Sequence, residues 1–499
     1  MSRNAALAAL ALCGGCAVGP KVPAPVVTLP VAYEARPAQA TAVGVDRWWA
    51  LYGDPQLASL VEEALAHAPD ARIADARLEE AFAVRSQALA AYGLQGGLQS
   101  SAGYIDTKAL AGPPPVNIPG VGTLSLTNSG SVTEYGAGAV NPSGPGWTWE
   151  LDVFGRRRAA RNEANGDLAA AVFDDAAARA DLAADVADHL FEARGLALQL
   201  EDARRTAAID RQLAGAVRAK DEGGVAAAPD LDQAESEAAQ AEAEAARLTG
   251  ELQADRRALL VLLGRGGDAA ATLEVAAEAG APPAAPASVP GELLERRPDV
   301  REAAARIASA AGKLKLDELA LFPTFTLQPG INVSSALSLG LPLTTASWSA
   351  GVGLYQPLFE IPRLRAEIRA QGARADQAVI AYEKAVQTAY GEAESDLGRL
   401  QAAEARLPLL EVAERRGRAA FEASRARYAA GVDDFTQLLV AEKTWRAASA
   451  ALSGAEIDAL RQSVLAFKAL GGGWSPVGQD PKGDGHMRKS SFVNGQPAP

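Results

Sequence analysis

Catalysis by this chain would have to start from its cysteines, its histidines or a pair of carboxylates, and each set is a poor start. Both cysteines, Cys13 and Cys16, lie within the first sixteen residues, so the body offers no thiolate, disulfide or cysteine-bound metal. His67, His189 and His486 have no metal-ligand spacing and read as solvated or packed side chains. Neither a Gly-x-Ser-x-Gly elbow nor a phosphate-binding glycine loop occurs. The acids sit among Ala and Arg in helical runs, where a solvated face is their ordinary role. An enzyme is therefore not expected, nor a cofactor or metal. With 61 acidic against 48 basic side chains and a net charge of −13, nucleic acid is not an expected partner either.

Cys16 suggests chemistry of another kind. Arg3 precedes a short apolar run at 5–12, and Gly14 and Gly15 precede Cys16. This is the order of a secretory signal peptide. A cysteine directly after the small residues resembles a bacterial lipobox, where the thiol is lipidated and becomes residue one. Cys13 stands where that pattern usually has Leu, and it follows Leu12, a poor cleavage residue, so Cys16 is the expected lipidation site. Ala17, not Asp, follows it, which points to outer- rather than inner-membrane sorting. Residues 1–15 read as the signal peptide and 16–47, rich in Pro and Ala, as a lipidated tether.

No apolar run reaches the roughly 18 residues of a transmembrane helix. Strands are the remaining way across a membrane, and 324–359 has their pattern. Phe325, Leu327, Ile331 and Val333 alternate with Thr324, Thr326, Gln328, Asn332 and Ser334. After a turn, Trp348, Ala350, Val352 and Leu354 alternate with Ser347, Ser349, Gly351 and Gly353. A soluble sheet edge has this pattern too. A membrane hairpin has it with lipid on one face and water on the other. Read so, Phe325, Leu327, Trp348, Val352 and Leu354 face lipid, and Thr326, Asn332, Ser347 and Ser349 face water. Within 93–155, a segment near 98–106 alternates weakly, and Trp147, Trp149, Leu151 and Val153 alternate with Thr148, Glu150 and Asp152 across a loop at about 108–131. This reads as a second hairpin.

Helical patterning fills the rest. Asp54–Pro55 is a cap followed by a first-turn proline, opening a helix expected to run to about Tyr92. Long helices are expected from Arg156 to about Asp221 and from Pro362 to Ala430, the second kinked at Pro408. Leu364, Ile368, Ala375, Val379, Tyr382, Val386, Ala389, Ala393, Leu397 and Leu400 step by threes and fours, as in a coiled coil. Glu222–Gly223–Gly224 and Gly431 break the long helices, and shorter ones follow to Leu263 and Leu470.

The second half repeats the first. Pro69, Asp70, Arg72, Arg77 and Ala81 recur 229 residues later, and Gly224, Val225, Leu231, Ala234, Glu235, Leu263 and Gly264 recur 207 later. The repeats span 48–264 and 290–471, joined by a 265–289 linker and followed by a disordered tail at 472–499. Each half is helix, hairpin, long helix, turn, helix. One chain thus supplies four strands, while the smallest membrane barrels need about eight. Open edges in lipid leave backbone groups unpaired, so strands that enter a membrane require several chains.

These residues resemble a known family. Cys16-Ala17-Val18-Gly19-Pro20, Trp48-Trp49 with Asp54-Pro55-Gln56-Leu57, Trp149-Glu150-Leu151-Asp152-Val153-Phe154-Gly155-Arg156, Leu294-Glu295-Arg296-Arg297-Pro298-Asp299-Val300 and Arg427-Tyr428-Ala429-Ala430-Gly431 are similar to motifs of the TolC/OprM-type outer membrane factors, nearest their lipoprotein branch of drug-efflux channels. The resemblance spans about 16–474. It implies an α+β membrane protein, a homotrimer with a twelve-stranded outer-membrane β-barrel continued by a long periplasmic α-helical coiled-coil barrel. It also implies a periplasmic adaptor and an inner-membrane RND-type transporter as partners. The function expected is a passive exit duct for drugs or other small molecules. An adhesin-like coiled-coil surface protein and the outer-membrane duct of a type I protein secretion system are the alternatives. In such a family the distal helix turns meet the adaptor and close the pore, which here selects Gly224, Val225, Asp230, Gly431, Val432, Asp433 and Asp434. Threefold repetition would make carboxylate rings of Asp433 and Asp434, although acids at helix starts also serve simply as caps.

Overall fold

The computed structural model describes residues 20–35, 44–106, 116–120, 122–124, 129–138, 147–223, 228–286, 288–338 and 341–475. Cys13, Cys16, Gly224, Val225 and the tail beyond 475 lie outside the described residues. In chain order the elements are α1 (Pro55–His67), α2 (Pro69–Ala90), β1 (Leu94–Gln95), β2 (Leu98–Asp106), β3 (Val116–Ile118), β4 (Gly122–Leu124), β5 (Ser129–Gly138), β6 (Thr148–Leu151), α3 (Arg156–Glu222) and α4 (Ala228–Leu262). There follow α5 (Leu293–Arg296), α6 (Pro298–Leu319), β7 (Thr324–Ser338), β8 (Leu341–Tyr355), α7 (Ile361–Ala429) and α8 (Phe435–Ala469).

The repeat is visible in these bounds. Helices α2 and α6 are both 22 residues long, and α4 and α8 both 35. The expectation of one helix from Asp54 to about Tyr92 is corrected. Pro69 has no N–H to donate and pushes the preceding residue out of the helical region, so Ala68 is extended at ψ 142 and separates α1 from α2. Helix α7, in contrast, runs through Pro408 without a break.

The chain clusters into two compact units, and the first holds Ala81–Leu168 and Ala305–Val379. Its strands form one antiparallel sheet. Strands β5 and β6 lie against successive stretches of β7, Val132 opposite Ala336 and Trp149 opposite Leu327. They are thus two parts of one returning strand, and β1 and β2 flank them in the same way. The sequence reading had placed the returning strand only around Trp147–Val153 and missed β5. Four strand paths result: β1/β2, β5/β6, β7 and β8. In this unit α3 and α6 touch at glycine. A Cβ on Gly166 would lie 2.5 Å from the Ser309 backbone nitrogen, and one on Gly312 would strike the Glu163 backbone.

The second unit holds Pro25–Glu80, Ala169–Ala304 and residues from Ile380 onward. Its core is built around Trp48, which is fully buried and stacked on Phe467 at 6.0 Å, with Leu57, Val61, Leu190, Phe191, Leu259 and Leu260 around it. Small residues do much of the remaining packing: Ala183, Ala187, Ala193, Ala389 and Ala393 have no exposed surface. Every position of the heptad-like stripe read from α7 is buried except Tyr382, which is partly so. The described part of the tether is not free. The Val26 amide donates to Glu383 at 2.7 Å, the Ala35 amide donates to Glu394 at 2.6 Å, and Tyr33, 6% exposed, stacks on Tyr390.

Candidate functional site

In the β7–β8 hairpin, residues directly opposite one another share a face. The register pairs Phe325 with Leu354, Leu327 with Val352 and Ile331 with Trp348. Beyond β7, Leu151 lies opposite Phe325 and Trp149 opposite Leu327, so the apolar face continues across the sheet. Trp348, Val352 and Leu354 are 82%, 75% and 65% exposed, an unfavourable arrangement in water for side chains of this size. Phe325 is partly covered by Phe154, which also packs on Phe322 at 5.1 Å.

The other face is small and polar. Gln328 donates to the Thr326 hydroxyl at 3.3 Å. Across from them stand Gly351 and Gly353, and a Cβ on Gly353 would come within 2.5 Å of Thr326 Oγ1. Polar side chains therefore lie over a glycine floor. Among the described residues β8 pairs only with β7, and β2 only with β5, so the sheet has two open edges.

The α7–α8 turn needs glycine at Gly431, where φ is +72. Arg427 grips Asp433 with two donors, Nε at 2.8 Å and Nη2 at 2.7 Å from Oδ1, and holds its carboxyl below the usual range. Asp434 is the N-cap of α8 and accepts from the Gln437 amide at 2.7 Å. Asp230 lies in the first turn of α4. Val432 beside Asp433 is 65% exposed. Asp433 and Asp434 each have a local partner, and Asp433 presents little bare charge. The turn itself stands on a small core of Val217, Phe421, Phe435, Leu438 and Leu439.

Inside the same helix group the sequence reading missed a buried polar contact. Asp210 of α3 and Glu442 of α8 each expose only 1% of the side chain, and Arg446 reaches Asp210 at 3.3 Å. A signal was present: Phe435, Leu438, Leu439 and Glu442 step by threes and fours, so Glu442 falls in the buried stripe. His189 meets Asp255 at 2.7 Å, and its pKa is raised chiefly by that hydrogen bond. Among the described residues no cluster of three or more His, Cys, Asp or Glu could hold a metal, and no helix is long and apolar enough to cross a membrane.

A sheet with one exposed apolar face, one polar face and open edges, joined in sequence to paired helices of about 67 and 35 residues, defines a class: the α+β outer-membrane channels. The family model for outer membrane efflux proteins matches residues 60–265 and 289–472, and the chain belongs to that family. It is similar to the pyoverdine export outer membrane protein OpmQ of Pseudomonas aeruginosa, with 28% identity across 87% of this chain and 89% of that one. It is also similar to the toluene efflux pump outer membrane protein TtgF of Pseudomonas putida, with 30% identity across 67% of this chain and 70% of that one. The solved structure of the outer membrane protein VceC from Vibrio cholerae matches with a TM-score of 0.72 and 26% identity, over 86% of this chain and 99% of that one. The fold is that of the trimeric TolC-type outer-membrane channels. The chain is an efflux protein of the Gram-negative outer membrane with a large periplasmic portion.

Proposed function

We propose that three copies of this chain close a twelve-stranded barrel and act as a passive exit duct for small organic molecules, with no chemical turnover. The observation that carries the reading is the four-path sheet with two open edges and a register that segregates apolar from polar side chains. Edges in lipid must pair, and strands from neighbouring copies are the available partners. Three copies give twelve strands, enough to leave an aqueous lumen lined by Thr326, Gln328 and the glycine floor. Phe325, Leu327, Trp348, Val352 and Leu354 then face lipid. The similar proteins are named for exporting pyoverdine and toluene, which supports small molecules as cargo.

A periplasmic adaptor and an inner-membrane transporter complete the pathway. The helix turns around Asp230, Val432, Asp433 and Asp434, with Gly224, Val225 and Gly431, form the end that meets the adaptor. Cys16 carries the acyl anchor. Native mass spectrometry and single-channel recording of the purified full-length protein in planar bilayers test the reading. A trimer with discrete conductance steps is expected, and a monomer or a silent bilayer overturns it. An unmodified Cys16 in the mature N-terminal peptide would remove the anchor and leave the duct.

A further inference from the structure

Behind the α7–α8 turn, two acids meet where charge is hard to keep. Asp210 comes from α3 and Glu442 from α8, and both carboxyls are out of water. With both ionised, Asp210 Oδ1 and Glu442 Oε1 have no hydrogen-bond donor at all. Two buried, unpaired carboxylate oxygens are costly, and two adjacent carboxylates relieve that cost by holding one proton between them. Arg446 supplies one positive charge, 3.3 Å from Asp210 and 3.9 Å from Glu442. One arginine, two carboxyls and one proton sum to zero charge.

Among the described residues the surrounding groups leave no second cation for the pair. Glu237 of α4 faces Glu442, but Lys443 is already held by Glu237 at 2.6 Å. From α7, Arg418 is paired with Glu414 at 2.7 Å, and Glu414 also accepts from the Trp445 indole. We propose that Glu442 and Asp210 share a proton that latches α3 to α8 behind the turn, and that loss of this proton loosens the contact. Glu442 belongs to the helix that Asp434 caps, eight residues or about 12 Å along it, beside the core that supports the turn. The latch is therefore placed to alter the turn without touching anything that passes it.

Burial is the first cause, and the neighbouring Asp210 the second, of a Glu442 pKa pushed up to about 8. An ordinary glutamate has a pKa of 4.5, so the folded chain holds an extra proton between these two values. Stability conferred by the contact consequently falls as pH rises through that window, and above it the two carboxylates repel across one arginine.

Full-length protein in detergent micelles tests this. Wild type is expected to show a protonated-carboxyl infrared band that titrates near the upper end of the window and is missing from Glu442→Gln. Amide exchange in the helix segments around Asp210 and Glu442, corrected for intrinsic rate, should rise about tenfold between about pH 7 and about pH 9. Glu442→Gln, neutral and still able to donate to Asp210, should stay protected throughout. Asp210→Asn should keep the fold and move the titration to lower pH. A wild type without the band, an exchange response that survives in Glu442→Gln, or an unmoved titration in Asp210→Asn each overturns the latch. None of these readouts depends on conductance, so a failure here is distinct from failure of the duct.

Discussion

Asp54 shows how much one residue can do. Its carboxylate caps α1, accepting from the amides of Gln56 and Leu57 at 2.9 and 3.1 Å, which Asp54–Pro55 already announced. Its other oxygen is bound by Arg194 of α3, which also donates to Gln56 at 2.9 Å. The Arg194 and Asp54 side chains are only 10% and 14% exposed. Arg194→Ala leaves a largely buried carboxylate with its amides but no counter-charge, so a loss of about 3–5 kcal/mol is expected in chemical denaturation. The Asp54 carboxyl is held below its usual pKa by Arg194 and the cap amides, which outweigh burial. Its stabilisation is therefore present above the ordinary aspartate range and disappears as pH falls through the lowered value. Arg194→Ala should weaken that acid-side loss. At the turn, Asp434→Ala removes a helix cap at a cost of about 1 kcal/mol. In bilayer recordings Asp434→Ala is expected to reduce cation preference more than Asp433→Ala, because Arg427 already neutralises Asp433. An equal effect would count against this.

Among elements, the α3–α6 crossing and the β7–β8 hairpin show close approach used in two ways. Glycine inside a helix costs about 1 kcal/mol relative to alanine, so Gly166 and Gly312 need a reason to be there. The reason is backbone contact: each glycine sits against the other helix where a methyl group has no room. Gly166→Ala should therefore destabilise by about 1–3 kcal/mol in spite of its better helix propensity, measured by thermal or denaturant unfolding. In the hairpin the faces are distinguished by environment. In the proposed barrel Leu327→Lys places a charge against lipid and should reduce assembled protein, at a cost of about 2–4 kcal/mol. Ser347→Lys lies on the opposite face, between Trp348 and Ala346 in sequence, and should assemble normally. Equal yields of the two on gels would contradict the assigned faces.

At the scale of the whole molecule, the sheet is unfinished by itself. Among the described residues its outer strands, β2 and β8, each leave one edge unpaired, and its apolar face is open. Both defects disappear if neighbouring copies pair β2 with β8 and the closed barrel sits in a bilayer. A cysteine in β2 and another in β8 should then form disulfides only between copies, giving a covalent ladder that ends at three. A ladder that stops at two, or bridges within one chain, would contradict the closure. Removing β7 and β8 should leave protein that neither assembles nor conducts.

Much of this protein was legible in its sequence because the rules involved act over a few residues. Caps, the period-two strands, the buried stripe of α7 and the internal repeat all come from spacing along the chain. The four-strand arithmetic already required assembly. The sequence reading ran one helix through Pro69 and expected a kink at Pro408; the structure shows that Pro69 separates two helices, while α7 continues through Pro408 as one helix. What the tertiary structure alone decided are the pairings of distant residues: Arg194 with Asp54, Gly166 with Ser309, Asp210 with Glu442, and β5 with the middle of β7. Each depends on which faces of different elements meet, and an alanine-rich helix has many nearly equivalent faces. Glu442 stands in the apolar stripe of its own helix, but whether it meets water, an arginine or another acid depends on the helix packed against it.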